Sequence, residues 1–153
     1  MKLDTTDLLL LQFLQEDSKQ TNKELSGKLN LSVTAVYERI KKLERNGVIK
    51  KYVALLEKKQ LDIGFMVFCH VKLSQHTETN IADFEAEVAQ LDAVLECFHV
   101  SGEFDYLLKV VVKDMDAFRE FMINKLTSLK HIGSTQSSFT INEVKSTTAF
   151  KVS

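Results

Sequence analysis

Between Lys28 and Lys51 the chain places seven basic side chains (Lys28, Arg39, Lys41, Lys42, Arg45, Lys50 and Lys51) against two acidic ones, Glu38 and Glu44, a local charge of +5. Cations at this density neutralise phosphates, and a basic helix face behind a tight turn is the footprint of nucleic-acid binding. The competing reading of any charge run is a solvated surface. A second constellation, Ser101-Gly102-Glu103-Phe104-Asp105, joins two apolar, β-rich runs. It reads as a hairpin connection, with Gly102 supplying backbone freedom and Asp105 a turn acceptor. Exposed amides in such a turn can hold a carboxylate, and a side-chain carboxylate can hold an ammonium. A third set, Cys69-His70 and Cys97-x-His99, has the residue types of a metal site. Strand neighbours point to opposite faces, however, and a buried strand cysteine is commonly a small apolar residue. No metal and no cofactor are therefore expected. His70, His76, His99 and His131 fall in no catalytic constellation, so no enzymatic activity is expected either.

The elements that must position these groups are legible one by one. Asp4 caps a first helix to about Glu16, with Leu3 and Leu8 as a staple around the cap and Leu10, Leu11 and Leu14 inward. Thr21-Asn22-Lys23-Glu24 is a capping box for a second helix carrying Leu25 and Leu29 on one face. Asn30 tolerates the left-handed backbone where the chain must bend. Ser32 caps a third helix whose Val36, Ile40 and Leu43 face inward, and Gly47 ends it. The β-branched and aromatic residues from Val48 to Leu56 predict the strands of a wing. Three helices and a wing form a winged helix-turn-helix over residues 1–56. The short charged stretch 57–63 reads as a hinge.

From residue 64 to 153 the periodicity changes. Phe65–Leu73 is a strand-like run, and Ile81, Phe84, Val88 and Leu91 follow helical spacing. Val94–Val100 and Tyr106–Val112 are β-rich, and Phe118, Phe121, Met122, Leu126 and Leu129 mark another helix behind an Asp114 cap. Ser134–Val144 alternates as a last strand. The order β-α-β-β-α-β is ferredoxin-like and the class is α+β. Such a sheet buries one face under its helices and leaves the other for a partner, often a second copy. Charge divides between the halves: residues 1–60 hold 12 Lys/Arg against 8 Asp/Glu (+4) and residues 61–153 hold 8 against 13 (−5), summing to −1. No apolar run approaches the roughly 20 residues of a membrane span. Met1-Lys2-Leu3-Asp4 is no secretion signal, and two cysteines suit a reducing cytoplasm.

A helix from Val33 to Arg45 is about 20 Å long, enough for a major groove. With Val36, Ile40 and Leu43 inward, Ser32, Val33, Thr34, Tyr37 and Glu38 are left outward near its start. Thr34, Tyr37 and Glu38 are assigned to base edges, and Ser32, Arg39, Lys42, Lys50 and Lys51 to phosphates. Arg39 has a structural alternative, a salt bridge with Glu38 or Asp7. Tyr37 could instead pack on the first helix.

The pattern Leu3-Asp4-x-x-Asp7-x-x-Leu10-Leu11-x-x-Leu14, Glu24-Leu25, then Leu31-Ser32-x-x-x-Val36-x-x-Arg39-Ile40-x-x-Leu43-Glu44-x-x-Gly47-Val48-Ile49 resembles the Lrp/AsnC, or feast/famine, family. Glu96-Cys97-x-x-Val100-Ser101-Gly102-x-x-Asp105-Tyr106-Leu107-Leu108 is similar to that family's ligand loop. Val33 departs from it, standing where the family often has proline. The resemblance implies a transcription regulator whose second domain, called RAM and similar to ACT domains, binds an amino acid and assembles homodimers, commonly into octamers. Carried over, the effector residues are Val100, Ser101, Gly102, Asp105 and Tyr106, with Gly133, Ser134, Thr135 and Gln136 on a facing segment. The implied partners are double-stranded DNA and a small amino acid, with no membrane. The rival readings are an enzyme like the siroheme decarboxylases, which share this architecture, and a Cys/His metal-sensing regulator.

Overall fold

A computed structural model describes residues 2–152. The chain divides into two compact units, Met1–Leu55 together with Val144–Ser153, and Leu56–Glu143. The expectation that everything beyond residue 64 belongs to the second domain therefore differs from the structure at the C-terminus.

In the first unit, α1 (Thr5–Glu16), α2 (Asn22–Leu29) and α3 (Val33–Arg45) follow one another closely. Each begins at a side-chain cap. Asp4 and Asp7 form a capping box on α1, Thr21 and Glu24 form another on α2, and the Ser32 hydroxyl accepts from the Ala35 amide on α3. These caps satisfy amides that helix starts leave without partners. Asn30 ends α2 in the left-handed conformation, φ 52°, and so makes the bend between α2 and α3. The end of α3 is a Schellman turn, with the Gly47 amide donating to the Glu44 carbonyl and the Val48 amide to that of Leu43. Leu10, Leu11, Leu25, Val36 and Leu43 form the core, with Leu3, Leu14, Leu29 and Ile40 packed against it.

Two expectations for this unit are corrected. No strand forms over residues 48–56. Strand propensity is realised only against a partner, and Tyr52, Val53 and Leu55 are left exposed. The unit also includes the C-terminal tail. Both polar atoms of the Gln15 carboxamide clasp the backbone of Phe150, Nε2 donating to its carbonyl and Oε1 accepting from its amide, each at 3.0 Å. Val152 packs against the helical core.

The second unit is a four-stranded antiparallel sheet, β1 (Phe65–Leu73), β2 (Val94–His99), β3 (Tyr106–Val112) and β4 (Ile132–Phe139), in the order β2-β3-β1-β4. A 3₁₀ turn, Lys58–Leu61, precedes β1 within the expected hinge. Helices α4 (Glu78–Val88) and α5 (Met115–Phe121), the latter extended by a π turn at Met122–Leu126, cover one face. Val67, Cys69 and Val71 of β1 and Tyr106, Leu108 and Val110 of β3 meet Phe84, Val88, Phe118 and Phe121 there. The expected last strand is shorter than its alternating sequence suggested. Phe139 pairs with Val67 and the Thr140 amide reaches the Met66 carbonyl, so the partner strand β1 runs out where β4 ends.

Candidate nucleic-acid interface and effector loop

On α3 the residues at positions 33, 34, 37 and 38 recur at i, i+1, i+4 and i+5, which places them on one face. Val33 and Tyr37 are 46 % and 45 % exposed, and Thr34 and Glu38 are exposed with them. Tyr37 is not buried in the core. Its ring instead lies beneath the Lys41 ammonium, 5.8 Å from the centroid. Lys42, Lys50 and Lys51 are exposed, and the Ser32 hydroxyl, though it accepts as a cap, keeps its own proton to donate.

Arg39 is the exception: it takes up the salt-bridge alternative and does not stand free on that face. Its Nη1 lies 2.6 Å from Asp7 Oδ1 and 2.7 Å from Asp4 Oδ2. Of the two alternatives, Glu38 or Asp7, the structure brings in Asp7 and adds Asp4. The hydrogen bonds that Arg39 donates to Asp4 and then to Asp7 raise the guanidinium pKa further, while the Asp7 amide and then Arg39 hold the Asp4 carboxyl below its usual range. Both contacts come from Nη1, so the guanidinium is held at the α1 cap by one of its nitrogens.

Sequence reasoning missed a second tie at the other end of α3. Glu44 accepts from Lys41 Nζ at 2.8 Å and from the Tyr52 hydroxyl at 3.1 Å. Burial and then the Glu44 carboxylate push the Tyr52 phenol up to about 12. Tyr52 thereby pins the extended chain carrying Lys50 and Lys51 to the helix. The spacing from Lys41 to Glu44 is readable in the sequence; the return of Tyr52 is not.

In the second unit the β2–β3 connection closes as expected, the Val100 amide donating to the Asp105 carbonyl at 2.8 Å. Gly102 sits at φ +127°, a conformation that side chains rarely adopt. Ser101, Gly102 and Glu103 are exposed, while Phe104 turns back against the His70 ring. Two residues carried over as effector contacts serve the fold. Tyr106 is 1 % exposed; its ring lies 4.6 Å from Phe84 and from His99, and its hydroxyl donates to Glu85. Asp105 uses Oδ2 for the Leu73 amide at 2.7 Å and Oδ1 for His76 Nε2 at 2.8 Å. Burial works to raise the Asp105 carboxyl, but the Leu73 amide, His76 and Lys72 together outweigh it and hold it low.

Tyr106 pairs with Val71 and Val71 with Thr135. The connection and the Gly133–Gln136 segment therefore share one end of the sheet with β1 between them, about 10 Å apart at strand spacing. Gly133 lies opposite a register shift at Lys72/Leu73, where a Cβ would stand 3.1 Å from the Ser74 amide nitrogen. Ser134 and Gln136 are exposed opposite Lys72 and His70, and half-buried Thr135 shares the helix-covered face with Val71. The two segments do not meet within one protomer.

The metal-sensor alternative does not find its ligands. Among the described residues no three His, Cys, Asp or Glu side chains gather as a metal site would require. Burial and then Glu85 push the Cys97 thiol up to about 11. No helix among the described residues is long and apolar enough to cross a membrane.

Comparison with known proteins agrees with this architecture. Residues 3–50 match the winged helix-turn-helix DNA-binding family and residues 66–150 the Lrp/AsnC ligand binding domain. The leucine-responsive regulatory protein of Salmonella typhimurium is 39% identical over 143 residues, covering 94% of this chain and 87% of its own. That of Rhizobium meliloti is 35% identical, covering 95% and 93%. Among solved structures, a transcriptional regulator from Neisseria meningitidis in complex with L-methionine superposes with a TM-score of 0.92 at 38% identity, covering 97% of this chain and 96% of that one. An AsnC family regulator from Agrobacterium tumefaciens gives the same TM-score, 0.92, at 33% identity and the same coverage. With a DNA-binding helical unit and a ligand-binding sheet unit in the family's order, and regulators rather than enzymes as its relatives, this chain belongs to the Lrp/AsnC family of transcriptional regulators.

Proposed function

We propose that the protein binds operator DNA through the exposed face of α3 and that an amino acid bound at the β2–β3 connection adjusts that binding by changing how protomers assemble. Val33, Thr34, Tyr37 and Glu38 meet base edges, and Ser32, Lys42, Lys50 and Lys51 hold phosphates. The observation that carries the DNA reading is this face itself, exposed on a helix whose other side is core.

The effector contacts the exposed amides of Ser101–Glu103 beside Val100, and Ser134 and Gln136 of a neighbouring protomer complete the site. The separation of the two segments by β1 supports a site built between protomers. Asp105 shapes the loop through Leu73 and His76 more than it meets ligand directly. That the Neisseria regulator was crystallised with L-methionine favours an amino-acid effector here.

The sheet face away from the helices carries Phe68, Leu107 and Phe98, the last 49 % exposed. An apolar sheet face of this kind is suited to a second copy, giving a homodimer, with octamers formed by further association in the cytoplasm. Effector and assembly are then linked reciprocally.

Selection of bound DNA from a random pool, with and without each of the twenty amino acids, tests the proposal. A pseudo-palindromic operator is expected, with half-sites spaced by whole helical turns, and at least one amino acid should change its recovery. An asymmetric single half-site would overturn the dimer. Silence to every amino acid at millimolar concentration, in selection and in thermal shift alike, would overturn the effector.

A further inference from the structure

Asp7 is the buried charged side chain among the described residues, 2 % exposed. An ionised carboxylate is kept in such a place only when its oxygens are fully engaged. Asp7 Oδ1 takes Arg39 Nη1 at 2.6 Å and Oδ2 accepts from the Asp4 amide at 3.2 Å. Asp4 mirrors it, Oδ1 accepting from the Asp7 amide at 2.8 Å and Oδ2 taking the same Arg39 nitrogen at 2.7 Å. All four carboxylate oxygens are used. The capping box that starts α1 and the guanidinium in the middle of α3 are one closed network.

Arg39 follows directly on Tyr37 and Glu38 in the helix. Rotating α3 about its axis, or sliding it by a turn, would pull the guanidinium off both acids and leave Asp7 buried without its countercharge. We propose that Asp4 and Asp7 are positioning residues for DNA recognition, using Arg39 as a pin that sets the rotation at which α3 presents Thr34, Tyr37 and Glu38. The inference rests on the reading that this face of α3 meets DNA. It assigns DNA-binding importance to two acidic side chains that would not themselves touch a polyanion.

The sign of the effect makes the proposal testable. If only charge mattered, removing an acid near the interface would tighten binding to DNA. Positioning requires the reverse. In the full-length protein, on an operator selected from a random pool, Asp7→Asn is expected to weaken binding at least tenfold. Asp4→Asn, at the more exposed acid and with little risk to folding, is expected to weaken it about threefold. Arg39→Gln should weaken binding while leaving the slope of log affinity against log salt unchanged, because no phosphate contact is lost. A cycle combining Asp4→Asn with Arg39→Gln should be markedly non-additive.

The proposal is overturned if folded Asp4→Asn binds as tightly as the parent or tighter, or if Arg39→Gln lowers the salt slope by about one, the signature of a phosphate ligand. Lys42→Ala and Thr34→Ala separate this from the underlying reading. The first should reduce the salt slope and the second should alter sequence preference. If neither changes DNA binding, the assignment of the α3 face falls, whatever the acids do.

Discussion

In the helical unit the side chains proposed to read DNA stand free on a regular helix, whereas in the sheet unit the side chains nearest the effector connection are already consumed by the fold. Thr34, Tyr37, Glu38 and Lys42 project from α3 while Val36 and Leu43 behind them are buried. At the other site Asp105 is committed to Leu73 and His76, and Tyr106 to Glu85 and the core. What remains there is backbone amide, the exposed Ser101 and Glu103 side chains, and an open end of the sheet. A site of side chains on a rigid helix can act within one unit. A site of backbone on a constrained turn needs more groups from elsewhere, which is what the proposed site between protomers would supply.

Damage to each core separately should divide the two functions most strongly. Leu25 is wholly buried in the small helical core and Phe84 in the sheet core. Leu25→Ala should cost about 2–5 kcal/mol and Phe84→Ala about 3–5 kcal/mol. Denaturant unfolding followed by DNA binding and amino-acid thermal shift is expected to show the first variant losing DNA and keeping ligand. The second should lose ligand and keep weakened, effector-blind DNA binding. Equal loss of both functions in both variants would mean that the units do not divide the labour.

A smaller perturbation addresses the connection itself. Gly102→Val places a β-branched residue at φ +127°, at a cost of about 1–3 kcal/mol. Open space surrounds the position, so the cost is conformational and not a clash. Amino-acid thermal shifts should disappear while DNA affinity without effector is retained. Smaller again is Gln15→Ala, which removes the two-point clasp on Phe150. With each exposed hydrogen bond worth about 0.5–1 kcal/mol net, the helical unit should lose about 1 kcal/mol. Amide exchange in the tail should rise while the sheet unit is unaffected.

The mildest lever is acid. The Asp105 carboxyl in the folded protein lies below its ordinary 3.8, because the Leu73 amide, His76 and Lys72 more than offset burial. A depressed carboxylate stabilises fully above its unfolded value and loses that contribution as pH falls through the folded one. Protection of the Leu73 amide, relative to its intrinsic exchange rate at each pH, should therefore fall below about pH 4 in the parent. In Asp105→Asn, which has no carboxylate to titrate, that protection should be insensitive to the window.

Local rules carried much of this molecule. The caps at Asp4, Thr21, Ser32 and Asp114, the bend at Asn30 and the bounds of β1 and β3 all follow from residue type and spacing over a few positions. The misses share one cause. The strands expected over 48–56 and beyond Phe139 had suitable residues but no neighbouring strand to pair with, and pairing is non-local. The C-terminal tail carries nothing in its composition to announce that Gln15, 135 residues earlier, receives it.

The same division holds for the sites. By itself the amino-acid sequence determined that the third helix has an outward polar face and that a glycine-bearing connection joins two strands, because helical and strand periodicity are properties of the local backbone. Only the tertiary structure decided that Arg39 turns inward to Asp4 and Asp7, that Asp105 binds Leu73 and His76, and that Tyr106 is core. Each of those outcomes depends on which groups from distant parts of the chain arrive within about 3 Å, the range over which hydrogen bonds and ion pairs choose their partners.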